Sequence, residues 1–173
     1  MIEWNRSQYP VPYPLVVVVS GSKPNPSTYI FFGQFNEHPP VIGIGIKEKR
    51  HTYKIIRETG DFSVNFVDTS LLKAADAAGM VSGRRHDKSS FFRWEPSSSI
   101  ISPRIASSPL SLEAVYIEEV RFTDHILVLG EVKKAWVREG IRPQDFILSS
   151  YSTMEYLSPG ASIEKWGFSR GEP

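Results

Sequence analysis

The chain has no cysteine, which excludes disulfides, thiolate metal sites and cysteine nucleophiles. It also has almost no charge imbalance: 20 Lys and Arg stand against 19 Asp and Glu, a formal net charge of +1. A molecule this close to neutral is not an electrostatic nucleic-acid binder as a whole, so any anion site has to be local, as at residues 47–52 and 84–88. Long hydrophobic runs are missing too, and Leu15–Val19 is far too short to span a bilayer. Met1–Pro14 is polar, carries Pro10, Pro12 and Pro14, and does not read as an export signal. The expected location is therefore cytoplasmic, with no membrane partner, and the Asn5-Arg6-Ser7 sequon reads as chance. No G-x-G-x-x-G follows a strand pattern, and no serine has G-x-S-x-G surroundings. His38, His51, His86 and His125 are scattered without metal-ligand spacing, so no metal is expected, and His125 beside Asp124 reads as structural. Glu118 and Glu119 are adjacent on a strand pattern and point to opposite faces, which argues against a joint acid/base role.

What is present centres on residues 39–65. An apolar run from Val41 to Ile46 is broken by Gly43 and Gly45. Positions 41, 43 and 45 share one strand face, and the two missing side chains leave room for a ligand or another backbone. Lys47, Lys49, Arg50 and His51 follow as a cationic knot. Thr52 then opens a short helix over Tyr53 to Thr59, with Gly60 in the C′ position and a second apolar run from Phe62 to Val67. A strand, a basic turn and a helix start supply donors, positive charge and free N–H groups for an anion. Taken alone, the stretch reads more simply as a tight surface turn with solvated Lys and Arg.

The rest of the 173 residues fits a single domain spanning 1–173, with an N-terminal extension over 1–12 and a tail over 158–173. Leu15–Ser20 reads as a buried strand, Gly21–Ser27 as a turn, Thr28–Phe32 as the return strand and Gly33–Pro40 as a loop. Ser70–Gly79 predicts a helix capped by Ser70 and ended by Gly79, with Leu71, Leu72, Ala75 and Ala78 as its apolar stripe. Ser82–Ser90 is a basic loop with Phe91–Trp94 packed beneath it, and residues 95–109 are a long Ser- and Pro-rich connection. Leu112–Phe122 and His125–Val137 form a hairpin; Gly140–Pro143 is a turn, and Ile147–Leu157 a short strand or irregular segment. Asn65, opposite the Phe62, Val64 and Phe66 face, reads as a satisfied polar core group. Ile163, Trp166 and Phe168 suggest that the tail docks on the domain or a partner. Short strands in excess of short helices favour a β-barrel or sandwich.

Seven pieces, in order, resemble the flavin reductase-like FMN-binding split-barrel proteins of the flavoredoxin branch. Pro14–Val19 resembles the first barrel strand, Pro24–Thr28 the turn into the second, and Pro39–Ile46 the "PP" strand. Lys49-Arg50-His51-Thr52 with Ile55-Ile56 resembles the "R-x-T-x-x-x-I" turn and helix, and Gly60–Asn65 the "GeFvvN" strand. Gly79, Ser82-Gly83-Arg84 and Asp87-Lys88 resemble "G-x-x-SGR-x-x-DK", and Asp124-His125 with Gly130-Glu131-Val132 resembles the hairpin's second strand. Two departures concern loop shape: Lys23-Pro24 precede Asn25 where a Gly is usual, and Ser89-Ser90 intervene before Phe91.

The resemblance implies a mainly β, six-stranded split barrel with short peripheral helices. It also implies a homodimer with FMN near the subunit interface, the flavin rather than a protein side chain carrying the chemistry. Arg50 and Thr52 become candidates for the FMN phosphate with Lys47 in support; Ser27, Thr28 and Tyr29 would lie along the ring; Ser82, Gly83 and Lys88 would close over ring or phosphate. Arg84, Arg85 and His86 read as a solvated face. The expected activity is an FMN-dependent oxidoreductase passing electrons from NADH or NADPH to a flavin, ferric or redox-protein acceptor. The alternatives are an FMN-binding electron carrier without turnover and, from another class, a small barrel binding single-stranded nucleic acid.

Overall fold

Val16–Ser20 is buried along its whole length, because a run of four valines offers no polar face. Val16 and Val18 enter one hydrophobic core, while Val17 and Val19 enter a second. The fold is arranged around that doubly buried strand. The computed structural model describes residue 3, residues 9–152 and residues 154–160. The sequon at residues 5–7 and the docking expectation for Ile163, Trp166 and Phe168 lie outside those residues.

In chain order the elements are β1 Pro12–Pro14, β2 Val16–Ser20, β3 Asn25–Tyr29, β4 Phe32–Glu37, β5 Pro40–Ile46, α1 His51–Thr59, β6 Asp61–Phe66 and α2 Leu72–Met80. They continue with β7 Trp94–Glu95, β8 Arg104–Ile105, β9 Leu110–Arg121, β10 Ile126–Val137, β11 Leu148–Ser150 and β12 Glu155–Leu157. The main sheet is antiparallel and runs β3-β2-β6-β9-β10-β5-β4. Its ends approach each other where the Gly45 N–H donates to the Phe31 carbonyl at 2.7 Å, so the strip curls into a split barrel. Inside it, Ile42, Ile44, Ile46, Phe62, Val64 and Val128 pack together, and α1 contributes Tyr53 and Ile56. Outside, α2 lays Leu71, Ala75 and Ala78 on Leu15, Val17 and Val19. Among the described residues no helix is long and apolar enough to cross a membrane.

The mainly β barrel with short helices is as expected, but several boundaries move. The main sheet has seven strands rather than six, and the segment expected as a loop at 33–40 contains β4. Phe32 pairs with Ile44 in register and packs on the barrel core; the polar Gln34, Asn36 and Glu37 are the exposed positions of a sheet edge. β3 begins at Asn25, inside the expected turn, because Asn25 and Pro26 already pair with Ser20 and Val19. Thr52 does not cap α1: the N-cap is Arg50, and no side chain bonds the first turn. Thr52 is instead 2% exposed, its hydroxyl accepting from Asn25 Nδ2 at 3.1 Å. Gly60 ends the helix as expected, at φ 76°, with its N–H on the Ile56 carbonyl. Nor does Ser70 cap α2: the Asp68 carboxylate accepts from the Ser70 and Leu71 N–H groups, and the helix runs through Gly79 to Met80.

The glycines of β5 make room mainly for this chain's own aromatics. A Cβ on Gly43 would sit 2.8 Å from Leu127 and against the Phe35 ring, and one on Gly45 would sit 2.8 Å from the Phe31 Cβ. The long connection over 95–109 is ordered, with β7 paired to β8 and two buried carboxylates holding its backbone. Glu113 accepts from the Ser98 and Ser99 N–H groups, and Asp61 accepts from those of Ile101 and Ser102.

Candidate functional site

The turn after β5 brings α1 up with its N-terminus bare. With Arg50 as N-cap, no side-chain cap bond and no acidic residue in the first turn, the first N–H groups of the helix remain available to an anion. Two cavities border this helix start, Arg50 lining one and His51 the other. One, of about 210 Å³, is lined by Ser27, Thr28 and Tyr29 of β3, with Phe31, Gly45, Lys47, Arg50, His125 and Tyr151. The other, of about 430 Å³, is lined by Asn25, His51 and the Gly83–Lys88 turn. Together they fall in the range of small-molecule sites, roughly 300–1,000 Å³.

The first cavity is aromatic on one side. Phe31 makes edge contacts with Tyr13, His125 and Tyr151 at ring separations of 5.7, 5.4 and 5.9 Å. His125 Nδ1 lies 3.0 Å from the Asp124 carboxylate, which fixes the ring orientation. The Tyr29 hydroxyl is buried without an aligned hydrogen-bond partner; burial pushes its pKa up, with Thr52, Ser27 and Arg50 pulling the other way.

The second cavity is cationic. Arg84, Arg85 and Lys88 line it, and Lys23 is already paired with Asp87 at 2.9 Å. His51 Nδ1 is buried and unpartnered. Burial, then the charges of Arg84 and Lys54, hold its pKa below the usual imidazole value, so at neutral pH His51 stays uncharged. Lys88 is 3% exposed, its ammonium donating to the Ala78 and Val81 carbonyls at 3.0 and 3.2 Å. Those are groups at the end of α2 that lack helical partners. Burial and the nearby Arg50 bring the Lys88 pKa down to about 8. Among the described residues no cluster of three or more His, Asp or Glu is placed to hold a metal.

Of the residues singled out from sequence, Ser27, Thr28, Tyr29, Lys47 and Arg50 line the first cavity, and Gly83 and Lys88 the second. Thr52 and Ser82 line neither: Thr52 supports Asn25 from beneath, and the Ser82 carbonyl accepts from the Arg85 and His86 N–H groups to shape the turn. Arg84, Arg85 and His86, read as a solvated face, also border the second cavity. Sequence reasoning named His51 only as part of the cationic knot and gave no site role to Asn25, His125, Phe31 or Tyr151. The Asp124-His125 pair carried a signal, but a turn dipeptide gives no direction for the imidazole. Tyr151 comes from a stretch without clear periodicity.

The residues present fit a phosphate-bearing, flat ligand. An uncapped helix start and cations surround one end, and buried polar atoms without partners face inward beside an aromatic cleft. Comparison with known proteins bears on the family. An uncharacterized protein of Aeropyrum pernix is 30% identical over 69% of this chain, which spans only 46% of that relative's length. An uncharacterized protein of Archaeoglobus fulgidus is 30% identical over 74% of each chain. The crystal structure of flavoredoxin from Methanosarcina acetivorans matches with a TM-score of 0.88 and 26% identity, over 99% of this chain and 97% of that one. The NADH:FAD oxidoreductase of Streptomyces globisporus shares the fold at TM-score 0.77 and 22% identity, over 87% of this chain and 88% of that one. Residues 7–156 match the family described as flavin reductase like domain. With most of its length inside that match, the chain belongs to the flavin reductase-like family.

Proposed function

We propose that this protein is an FMN-dependent oxidoreductase that draws electrons from NADH or NADPH and passes them to a flavin, ferric or redox-protein acceptor. The observation that carries the reading is the bare N-terminus of α1, flanked by Arg50 and Lys47, with Arg50 lining one cavity and His51 the other. The Arg50 guanidinium can hold a phosphate bidentately while the first-turn N–H groups and Lys47 add donors. The Gly83–Lys88 turn would cover that end, and the ring would lie along Ser27–Tyr29 with Phe31 and Tyr151 beside it. A bound flavin supplies the electron transfer; the chain's own residues bind it, orient it and exclude water. Family membership supports this reading, as do the flavoredoxin and NADH:FAD oxidoreductase folds it resembles.

The same reading includes a homodimer, supported by an apolar surface that shares Phe31, Gly45 and His125 with the ring cavity. Titration with FMN, followed by flavin fluorescence quenching, tests the binding site. Wild type should bind FMN, and Arg50→Ala should lose about tenfold or more in FMN affinity, the scale of one charge-assisted contact, with little change toward riboflavin. Equal losses for both ligands would remove the phosphate role of Arg50. No binding by wild type would end the flavin reading. Bleaching of bound FMN by NADPH under anaerobic conditions separates an enzyme from a carrier that responds only to a chemical reductant.

A further inference from the structure

A third cleft, of about 320 Å³, adjoins the ring cavity beside the C-terminal end of α2. It shares Thr28, Ile30, Gly79 and Tyr151 with the ring cavity, so the two spaces have common walls. Its floor is Leu15 and Ile30, its inner wall the buried Ser149 and Ser150 of β11, and its mouth the thioether of Met80, which is 80% exposed. Asp76 and Tyr156 close the rim, the phenol donating to the carboxylate at 2.5 Å. The charge pattern is opposite to that of the phosphate end. Among the described residues no Lys or Arg lines this cleft, and Asp76 is its charged group.

We infer that this cleft is the acceptor subsite, and that it takes an uncharged, flat carbonyl compound of the quinone type rather than a phosphate-bearing or ferric-chelate acceptor. The inference rests on the flavin-binding part of the reading above and replaces its flavin and ferric acceptors with a quinone. Aliphatic and thioether walls suit a flat ring. Adjacent strand residues point to opposite faces, so one of the two serine hydroxyls can donate to a carbonyl oxygen. A lone carboxylate at the rim opposes anions, which describes most ferric chelates and every nucleotide. The chemistry balances: a nicotinamide dinucleotide gives up a hydride, and with one further proton from water the quinone gains two electrons and two protons to become the hydroquinone.

The test uses FMN-loaded protein under anaerobic conditions and compares 1,4-naphthoquinone with its 2-sulfonate by equilibrium dialysis. Wild type should hold the neutral quinone about tenfold tighter than the sulfonate, a gap of about 1.4 kcal/mol. Asp76→Lys should close or reverse that gap. Met80→Glu, at an exposed position, should weaken both probes. Neither variant should alter the FMN titration, which also shows that both are folded. Equal affinity for the two probes in wild type would overturn the inference, as would an Asp76→Lys variant that leaves the preference unmoved or a Met80→Glu variant that binds both probes as wild type does. Protein that takes up FMN but neither quinone overturns this inference alone; protein that takes up no FMN overturns the flavin reading and this one with it.

Discussion

Lys88 shows how a site residue can be recognised from sequence and still have its role misjudged. Its motif position suggested a lysine reaching over the ligand, yet its ammonium is tied to two carbonyls at the end of α2. It contributes charge to the cationic cavity from behind rather than as a flexible arm. Because burial and Arg50 bring its pKa down to about 8, that charge is lost in an ordinary pH range. Below about pH 8 the free protein carries it, and a dianionic phosphate meets a cation. Above that, binding has to be coupled to proton uptake, and affinity falls by up to about tenfold per pH unit. Between pH 7 and 9, FMN affinity should therefore drop while riboflavin affinity stays level, and Lys88→Met should flatten the FMN profile. Isothermal titration in buffers of different ionisation enthalpy reads both the affinity and the proton count; parallel profiles for the two flavins would refute this role. Folding carries the opposite sign. A lysine with a depressed folded pKa disfavours the folded state most where both states are protonated, so its penalty shrinks as pH rises from about 8 toward the ordinary lysine value.

The elements fall into two groups by how plainly the sequence announces them. β2 and the β9–β10 hairpin are legible because their burial is written as continuous or alternating apolar positions, and Gly60 is legible because a left-handed C-cap demands it. β4 was not, since three of its six positions are polar, Phe35 is exposed, and Phe32 alone marks its buried side. The α1 cap failed for a related reason: Thr52 has the right chemistry, but Asn25, 27 residues earlier, claims its hydroxyl, a contact no local pattern encodes. The connection over 95–109 lacked periodicity because its order comes from acids elsewhere. Glu113 is fully buried and accepts from Trp136 Nε1 at 2.6 Å and Ser99 N at 2.7 Å, with Arg104 3.3 Å away. Burial alone would push its carboxyl pKa up; those donors outweigh it and hold the pKa down. Glu113→Ala should destabilise the fold by about 3 kcal/mol, because it leaves the largely buried Arg104 with Glu95 as its remaining carboxylate and orphans the part-buried Ser98 and Ser99 N–H groups together with Trp136 Nε1. Urea unfolding measures the loss, and hydrogen exchange should show Ser98 and Ser99 deprotected first. A loss below about 1 kcal/mol would mean the connection is held by β7 and β8 instead.

At the scale of the molecule, the outer face near the barrel seam remains to be accounted for. Phe35 and Phe122 are 58% and 63% exposed there, and with Tyr13, Gly43 and Leu127 they border one predominantly apolar cavity. Single exposed apolar residues are ordinary on a soluble protein, but a contiguous aromatic patch marks an interaction surface. This patch shares Phe31, Gly45 and His125 with the ring cavity, so whatever covers it also forms part of that cavity's outer wall. A second copy of the chain is the occupant consistent with the homodimer reading, and it makes assembly and cofactor affinity interdependent. Phe122→Glu places a charge in that patch at a position where the isolated chain gains nothing from the phenyl ring, so the fold should survive. Sedimentation equilibrium should show wild type as a dimer and the variant shifted to monomer, with FMN affinity falling in parallel and recovering as protein concentration rises. A variant that stays dimeric would move the subunit contact to another face. A monomer that binds FMN as tightly as wild type would show that one chain completes the site alone.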